Sequence, residues 1–150
     1  MDAKKVEEFL SIKLRECFET IEEENLVNFA TLFIQYCIYP RLMFSAADAL
    51  YSINFLKTMV SHRVPNFNIL HTIGLTLKNI VPSIHCCTNA ESDNLAIFFQ
   101  ELYTQINEWT KPDVWDRECE GYSGFSNVIT GDGSHKSITF MEFQKIAKQI

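Results

Sequence analysis

Glycine and proline are scarce in this 150-residue chain, at five and four residues. Together they fall well below the ~12% usual in globular proteins. A chain with so few turn residues does not read as a sandwich or barrel, and helices are the alternative. No run reaches the roughly 20 apolar residues of a membrane span. The longest uncharged stretch, Asn25 to Pro40, contains Asn28, Thr31 and Gln35 and reads as a buried helix. Positive charge is also in short supply: the net charge is −6, against a strongly basic nucleic-acid-binding domain. There is no secretory signal pattern, no Asn-x-Ser/Thr acceptor and no Cys-x-x-Cys pair. The five cysteines (Cys17, Cys37, Cys86, Cys87 and Cys119) are therefore expected to be buried free thiols in a reducing compartment.

What is present is apolar and aromatic. Hydrophobic residues make up 47% of the chain and charged residues 21%, with 12 Phe, 5 Tyr and 2 Trp. This composition supports one folded domain over residues 1–150, long enough for a core without a disulfide or metal staple. The charge is unevenly spread. Residues 1–24 balance to −4, residues 25–80 to +3, residues 81–130 to −6 and residues 131–150 to +1. A weakly basic middle, Arg41, Lys57, Arg63 and Lys78, thus lies between acidic flanks and offers a strip for RNA or for an acidic partner.

Helical periodicity runs almost throughout. Val6, Leu10, Leu14, Cys17/Phe18 and Ile21 mark a first helix. Leu26, Phe29/Ala30, Phe33 and Cys37 mark a second, which Pro40 is expected to stop. Ser45 with Asp48 caps a third, carrying Ala49/Leu50, Ile53, Leu56 and Val60. Pro65-Asn66 is expected to open a fourth, ended or kinked at Pro82. Thr88 and Glu91 form a capping box for a fifth, through Trp109. Pro112 starts a short sixth through Cys119. Residues 121–137 form a long loop, and Thr139 with Glu142 caps a seventh helix. The expected fold is all-α: about seven helices, no convincing strand, and a HEAT- or armadillo-like solenoid segment. The long helices begin near residues 4, 45 and 90, a spacing suited to such helix pairs. No motif recurs at that spacing, and the chain is expected to be part of a longer solenoid.

Four constellations resemble chemical sites and fail. Gly131-Asp132-Gly133-Ser134-His135-Lys136-Ser137 has the Lys-Ser of a phosphate loop but His135 where Gly must precede the Lys. Read as a calcium loop ending at Glu142, the same stretch puts Gly131, Gly133 and His135 at positions that need carboxylates. His85-Cys86-Cys87 are adjacent, so they cannot all face one zinc, and no second ligand pair stands nearby. Gly121-Tyr122-Ser123-Gly124 is one residue short of a nucleophile elbow and follows no strand. No catalytic residue, metal or cofactor is expected. The aromatics read mainly as core. The group around the Pro40 corner (Tyr36, Tyr39, Phe44 and Tyr51, beside Arg41) reads as the interaction surface, since aromatics and Arg are enriched at interfaces.

One ordered series carries a resemblance. It begins with Pro40-Arg41-Leu42-Met43-Phe44-Ser45-Ala46-Ala47-Asp48-Ala49-Leu50-Tyr51 and Phe55. It continues through Val64-Pro65-Asn66-Phe67, Leu70, Cys87-Thr88, Glu91, Phe99, Leu102 and Trp109 to Glu118-Cys119-x-x-Tyr122-x-Gly124-Phe125. Across residues 26–150 it resembles the large scaffold subunits of the THO complex, the core of the TREX machinery, in their C-terminal α-helical region. The resemblance implies a non-enzymatic helical scaffold in the nucleus. It also implies assembly with other THO subunits, recruitment of a DEAD-box RNA helicase and export adaptors, and coupling of transcription to mRNA processing and export. Contact with mRNA would be indirect, and no membrane or small-molecule substrate is implied. Pro40, Arg41, Ser45 and Asp48 match the family's best motif, and a buried Arg41–Asp48 pair is expected. The alternative is an RNA-contacting module that uses Arg41, Lys57, Arg63 and Lys78.

Overall fold

The computed structural model describes residues 3–21, 25–127 and 136–150. The elements are α1 (Ala3–Glu19), α2 (Leu26–Phe33), a π-helical segment (Ile34–Ile38), α3 (Tyr39–Phe44), α4 (Ala46–Ser61), α5 (Ile69–Ser83), α6 (Asn89–Trp109), α7 (Pro112–Glu118) and α8 (Phe140–Ala147). The fold is all-α. The longest strands among the described residues are two residues each, β1 (Ser126–Asn127) and β2 (Lys136–Ser137), paired antiparallel. They lie inside the expected 121–137 loop, along with a 3₁₀ turn at Ser123–Phe125. The middle of that loop, residues 128–135, lies outside the described residues, and with it most of the phosphate-loop and calcium-loop stretch. The side chains of Val6 and Leu10 lie outside them too.

The capping chemistry expected from the sequence is present. Ser45 Oγ accepts from the Asp48 N–H, and Thr88–Glu91 and Thr139–Glu142 each form a complete capping box. Pro112 occupies the first turn of α7. Two expectations about proline fail. Pro40 does not stop its helix: α2, the π segment and α3 run on as one rod from Leu26 to Phe44. In the π segment the ladder shifts to a wider turn, with the Tyr39 N–H bonded to the Ile34 carbonyl. Pro40 then falls in the first turn of the α3 register, where a missing N–H is tolerated. The rod ends at Ser45, whose extended backbone starts the next cap. Likewise Pro65-Asn66 does not open α5. Asn66 is left-handed (φ 58°), and the cap is Asn68, whose Oδ1 accepts from the His71 N–H at 2.9 Å.

The π turn also resets the buried stripe. A pure α-helix rotates a four-residue spacing by about 40° at each step. The wider turn counteracts this drift, so Ile34, Ile38 and Leu42 all face the core. Cys37, expected on that face, is exposed, as are Cys17 and Cys86, so only Cys119 is a fully buried thiol. α4 and α6 pack against each other and against α3, burying Ile53, Leu56, Met59, Leu95, Phe98 and Leu102.

Two aromatic clusters flank this layer. In one, the Phe18 ring meets Phe29, Phe33 and Phe67 edge-on at 5.1, 6.2 and 6.0 Å. In the other, the Phe125 ring meets Trp109, Trp115 and Phe143 at 5.2, 5.4 and 5.8 Å. Such pairs add stabilisation beyond their buried area.

Between the clusters lies the α4–α5 connection, His62 to Asn68. Val64 and Phe67 in it are buried, so its backbone groups need partners other than water. α4 ends with the Val64 N–H bonded to the Met59 carbonyl and the Arg63 N–H to that of Val60. This geometry places Arg63 left-handed (φ 48°), where glycine is usual. Other segments satisfy the loop. Arg15 donates to the His62 carbonyl at 2.8 Å. The buried Tyr122 hydroxyl donates to the carbonyls of Val64 and Phe67 at 2.9 and 3.3 Å. The loop in turn reaches outward: Asn66 Nδ2 donates to the Phe18 carbonyl at 3.0 Å and Asn68 Nδ2 to the Ser126 carbonyl at 2.8 Å. Gly124 closes against it. A Cβ there would overlap the Tyr122 ring and stand 2.8 Å from the Phe67 carbonyl oxygen.

Two substitutions test this clasp. Tyr122→Phe leaves the Val64 carbonyl without its closest donor and should cost about 1–3 kcal/mol. Gly124→Ala overpacks the same contact and should also cost about 1–3 kcal/mol. Urea denaturation reads both, and midpoints equal to wild type for the two variants would show that the clasp carries no stability.

Candidate protein-interaction surface

The corner between α3 and α4 is built around one carboxylate. Ser45 Oγ donates to Asp48 Oδ2 at 2.6 Å while accepting the Asp48 N–H at 3.1 Å. Arg41 Nη1 donates to Asp48 Oδ1 at 3.1 Å. The Asp48 carboxylate also sits in the first turn of α4, at the positive end of its dipole. Arg41 then lies over the Tyr51 ring, 5.0 Å from its centroid, and Tyr51 stacks on Phe55 at 6.1 Å. From α6, Asn94 Nδ2 donates to the Met43 carbonyl at 3.1 Å, holding the last turn of α3. The Arg41–Asp48 pair exists but is not buried: the two side chains are 53% and 26% exposed. Arg41 is long enough to keep its head in water while its carboxylate partner is fixed by the cap.

The outer side of the corner is apolar and open. Tyr36 and Phe44 are 75% and 82% exposed, and Pro40 and Tyr51 are exposed with them. Tyr39, expected in the same group, is half-buried and packs on the core. Leu32 extends the open face by one more turn. Sequence reading missed it, although its signal was available: Leu32, Tyr36, Pro40 and Phe44 recur every fourth residue on the side opposite Ile34, Ile38 and Leu42.

The four basic residues differ in their partners within the fold. Arg41 pairs with Asp48, and Lys57 with Glu101 at 3.6 Å. Arg63 donates to the carbonyls of Arg117 and Glu120 near the end of α7, both at 3.4 Å. Lys78 is exposed on α5. An open cleft of about 650 Å³ runs between α4, α6 and α7 past Lys57, Arg63 and Trp109. Of its charged lining residues, Arg117 pairs with Glu118, while Lys57 and Glu108 pair with Glu101 and Lys111 outside the cleft.

Two further reactive groups, Cys119 and Tyr122, are buried. Burial, reinforced by Glu118, pushes the Cys119 thiol up to about 12, so it is no nucleophile near neutral pH. Burial also raises the Tyr122 hydroxyl well above its ordinary value. His85 and Cys86 are exposed, whereas the Cys87 thiol donates to the Ser83 carbonyl. Among the described residues, no group of three or more His, Cys, Asp or Glu is placed to hold a metal ion, and no helix is long and apolar enough to cross a membrane.

Comparison with known proteins gives this arrangement a family. The family model described as "Transcription factor/nuclear export subunit protein 2", Tho2, matches residues 2–150. The chain belongs to the Tho2 family. Proteins named THO complex subunit 2 share sequence with it. The Homo sapiens protein is 31% identical over 111 residues, covering 71% of this chain and 7% of its own length. The Arabidopsis thaliana protein is 34% identical over 116 residues, covering 76% of this chain and 6% of its own length. The Saccharomyces cerevisiae protein is 29% identical over 128 residues, covering 85% and 8%. This Tho2-family chain therefore spans less than a tenth of the length of these relatives. No solved structure matches it.

In this Tho2-family chain several of the residues that carried the resemblance have structural roles. Ser45 and Asp48 cap α4, Tyr122 and Gly124 close on the α4–α5 connection, and Glu118 accepts from Trp109 Nε1 at 3.2 Å.

Two measurements check the electrostatics of the site. Ser45→Ala and Arg41→Ala should each cost about 1 kcal/mol in urea unfolding, as a cap and a half-exposed ion pair with a ring contact do. A loss of about 3–5 kcal/mol for Arg41→Ala would show that the pair behaves as a buried one. The second concerns His71, whose Nε2 is buried without a partner and whose imidazole burial holds below its ordinary pKa of 6.5. The unfolded chain then binds a proton that the folded chain resists, so stability should fall as pH drops below about 6.5. Comparing urea midpoints at pH 7.5 and 5.5, His71→Leu should show a smaller drop than wild type. An equal drop would assign the loss to other groups.

Proposed function

We propose that this chain is a scaffold segment of a nuclear THO complex, acting by protein contact rather than catalysis. Its relatives are named as subunits of that complex, and the family model covers nearly the whole chain. The observation that carries the reading is the open apolar corner, Tyr36, Pro40, Phe44 and Tyr51 around Arg41, on a helical frame. On this reading residues 1–150 are one α-helical unit of a longer helical-repeat solenoid. The unit serves transcription-coupled mRNA processing and export. The DEAD-box helicase, the export adaptors and mRNA are reached through the assembled complex. Direct RNA binding through Arg41, Lys57, Arg63 and Lys78 is the weaker reading, because three of these four already serve partners within the fold. A phosphate-binding strip needs several cations free to release counterions together.

Affinity purification of the tagged chain from nuclear extract, with and without nuclease, tests the reading. THO subunits should be recovered equally in both. Recovery only with intact RNA would move the function to the basic residues, and recovery in neither would overturn membership of the assembly.

A further inference from the structure

The rod from Leu26 to Phe44 is apolar on both sides. One side, through Ile34, Ile38 and Leu42, is fully buried. The other, through Leu32, Tyr36, Pro40 and Phe44, is open along its length, with Leu32 50% exposed at one end and Phe44 82% at the other. The rod has no charge before Arg41, and Asn28, Thr31 and Gln35 are its polar side chains up to that point, so a second apolar side this long is more than a surface helix with one buried face normally shows. The open stripe covers about 18 Å at 1.5 Å per residue, about three turns of a facing helix. Its spacing of four residues is the spacing at which one helix offers ridges to another.

We propose that this stripe seats an acidic amphipathic helix from a partner protein. Aliphatic side chains of the partner pack between Leu32, Tyr36, Pro40 and Phe44, and a carboxylate beside them meets Arg41. The inference rests on the protein-contact reading above and specifies the chemistry of the partner. Charge selects this occupant. Residues 25–80 hold one acid, Asp48, against four bases, in a chain otherwise acidic. Asp48 is turned into the cap by Ser45, and Arg41 holds it through Nη1 alone. The guanidinium therefore has further donors for a second carboxylate, and the Tyr51 ring beneath keeps it in place. Residues 26–44, which form the rod, contain no acid of their own to repel a partner carboxylate. In a two-fold pair of these faces, Arg41 would find only apolar groups or its own copy. Single-stranded RNA could stack on the aromatics, but its phosphates would find only one cation here, and that one is shared with Asp48.

The test uses a phage-displayed library of 20-residue helical peptides, panned on the folded chain and counter-selected on Phe44→Ser. Phe44 is largely exposed, so this variant should retain the wild-type circular dichroism, and Tyr36→Ser on another turn serves as a second probe. Enriched peptides should carry Leu, Ile, Met or Phe four residues apart, with Asp or Glu in the adjoining turn. A synthetic peptide from that set should bind at least tenfold more weakly to Phe44→Ser and to Tyr36→Ser. Its preference over the version with Glu changed to Gln should be about fivefold or more on wild type, and should vanish on Arg41→Gln. The proposal is overturned by enrichment without acids, by an acid preference that survives Arg41→Gln, or by no clone that depends on Phe44. It is also overturned if Phe44→Ser abolishes self-association in sedimentation or binding of a 12-nucleotide single-stranded RNA. Peptide selection can succeed when THO subunits fail to copurify, and can fail when they do, so the two readings fall separately.

Discussion

Buried backbone without a helix or sheet ladder must find a partner for its carbonyls and N–H groups, and between α4 and α5 that demand falls on Val64 and Phe67. They are the buried residues of the connection His62 to Asn68, which lies between two aromatic clusters. Arg15 comes to it from α1, and the Tyr122 hydroxyl from beyond α7. Asn66 and Asn68 return the connection to α1 and to β1. Elements that share few direct contacts are thus registered against one another through a single loop. The energetic asymmetry of hydrogen bonds explains why this matters: each bond made adds little, but each buried group left unpaired costs considerably more.

Arg63 shows how tightly that loop is constrained. Its backbone adopts the left-handed conformation that ends α4, at a position where glycine would avoid a steric penalty. A glycine would supply no guanidinium for the carbonyls of Arg117 and Glu120. The arginine accepts backbone strain and closes the carboxyl end of α7 with a positive charge, which the helix dipole favours. A residue that looks like a free surface cation in the sequence is therefore a structural bridge.

Much of the helical plan was legible because it is written locally. Thr88-x-x-Glu91, Thr139-x-x-Glu142 and Ser45-x-x-Asp48 specify their caps through neighbours three residues away, and all three form. The misreadings arise where distant contacts decide. Pro40 stops a helix only if the ladder stays in the α register, and the π turn before it shifts that register. Pro65 resembles a helix start until Asn66 is drawn to the Phe18 carbonyl and Asn68 becomes the cap. Lys57 and Arg63 seemed available because Glu101 and the end of α7 lie far away in the chain. At the candidate site the aromatic residues around Pro40 were visible, and so was the four-residue repeat that Leu32 joins, whereas the inward turn of Tyr39 depended on the π register just before it.

The long reach of the clasp also bears on how the chain acquires its structure. Tyr122 and Asn68 close contacts 58 residues apart in sequence. On the ribosome, α1 to α6 can form locally as they emerge, but the carbonyls of Val64 and Phe67 remain without their tyrosine until residue 122 has been synthesised and released from the exit tunnel. Contacts of such separation close late. During that interval an unsatisfied loop and the half-built cluster that awaits Phe125 and Phe143 face the cytosol, the kind of surface that chaperones hold. A pause in synthesis before Tyr122 has left the tunnel would prolong this vulnerable interval, and emergence of the segment through Phe143 would end it.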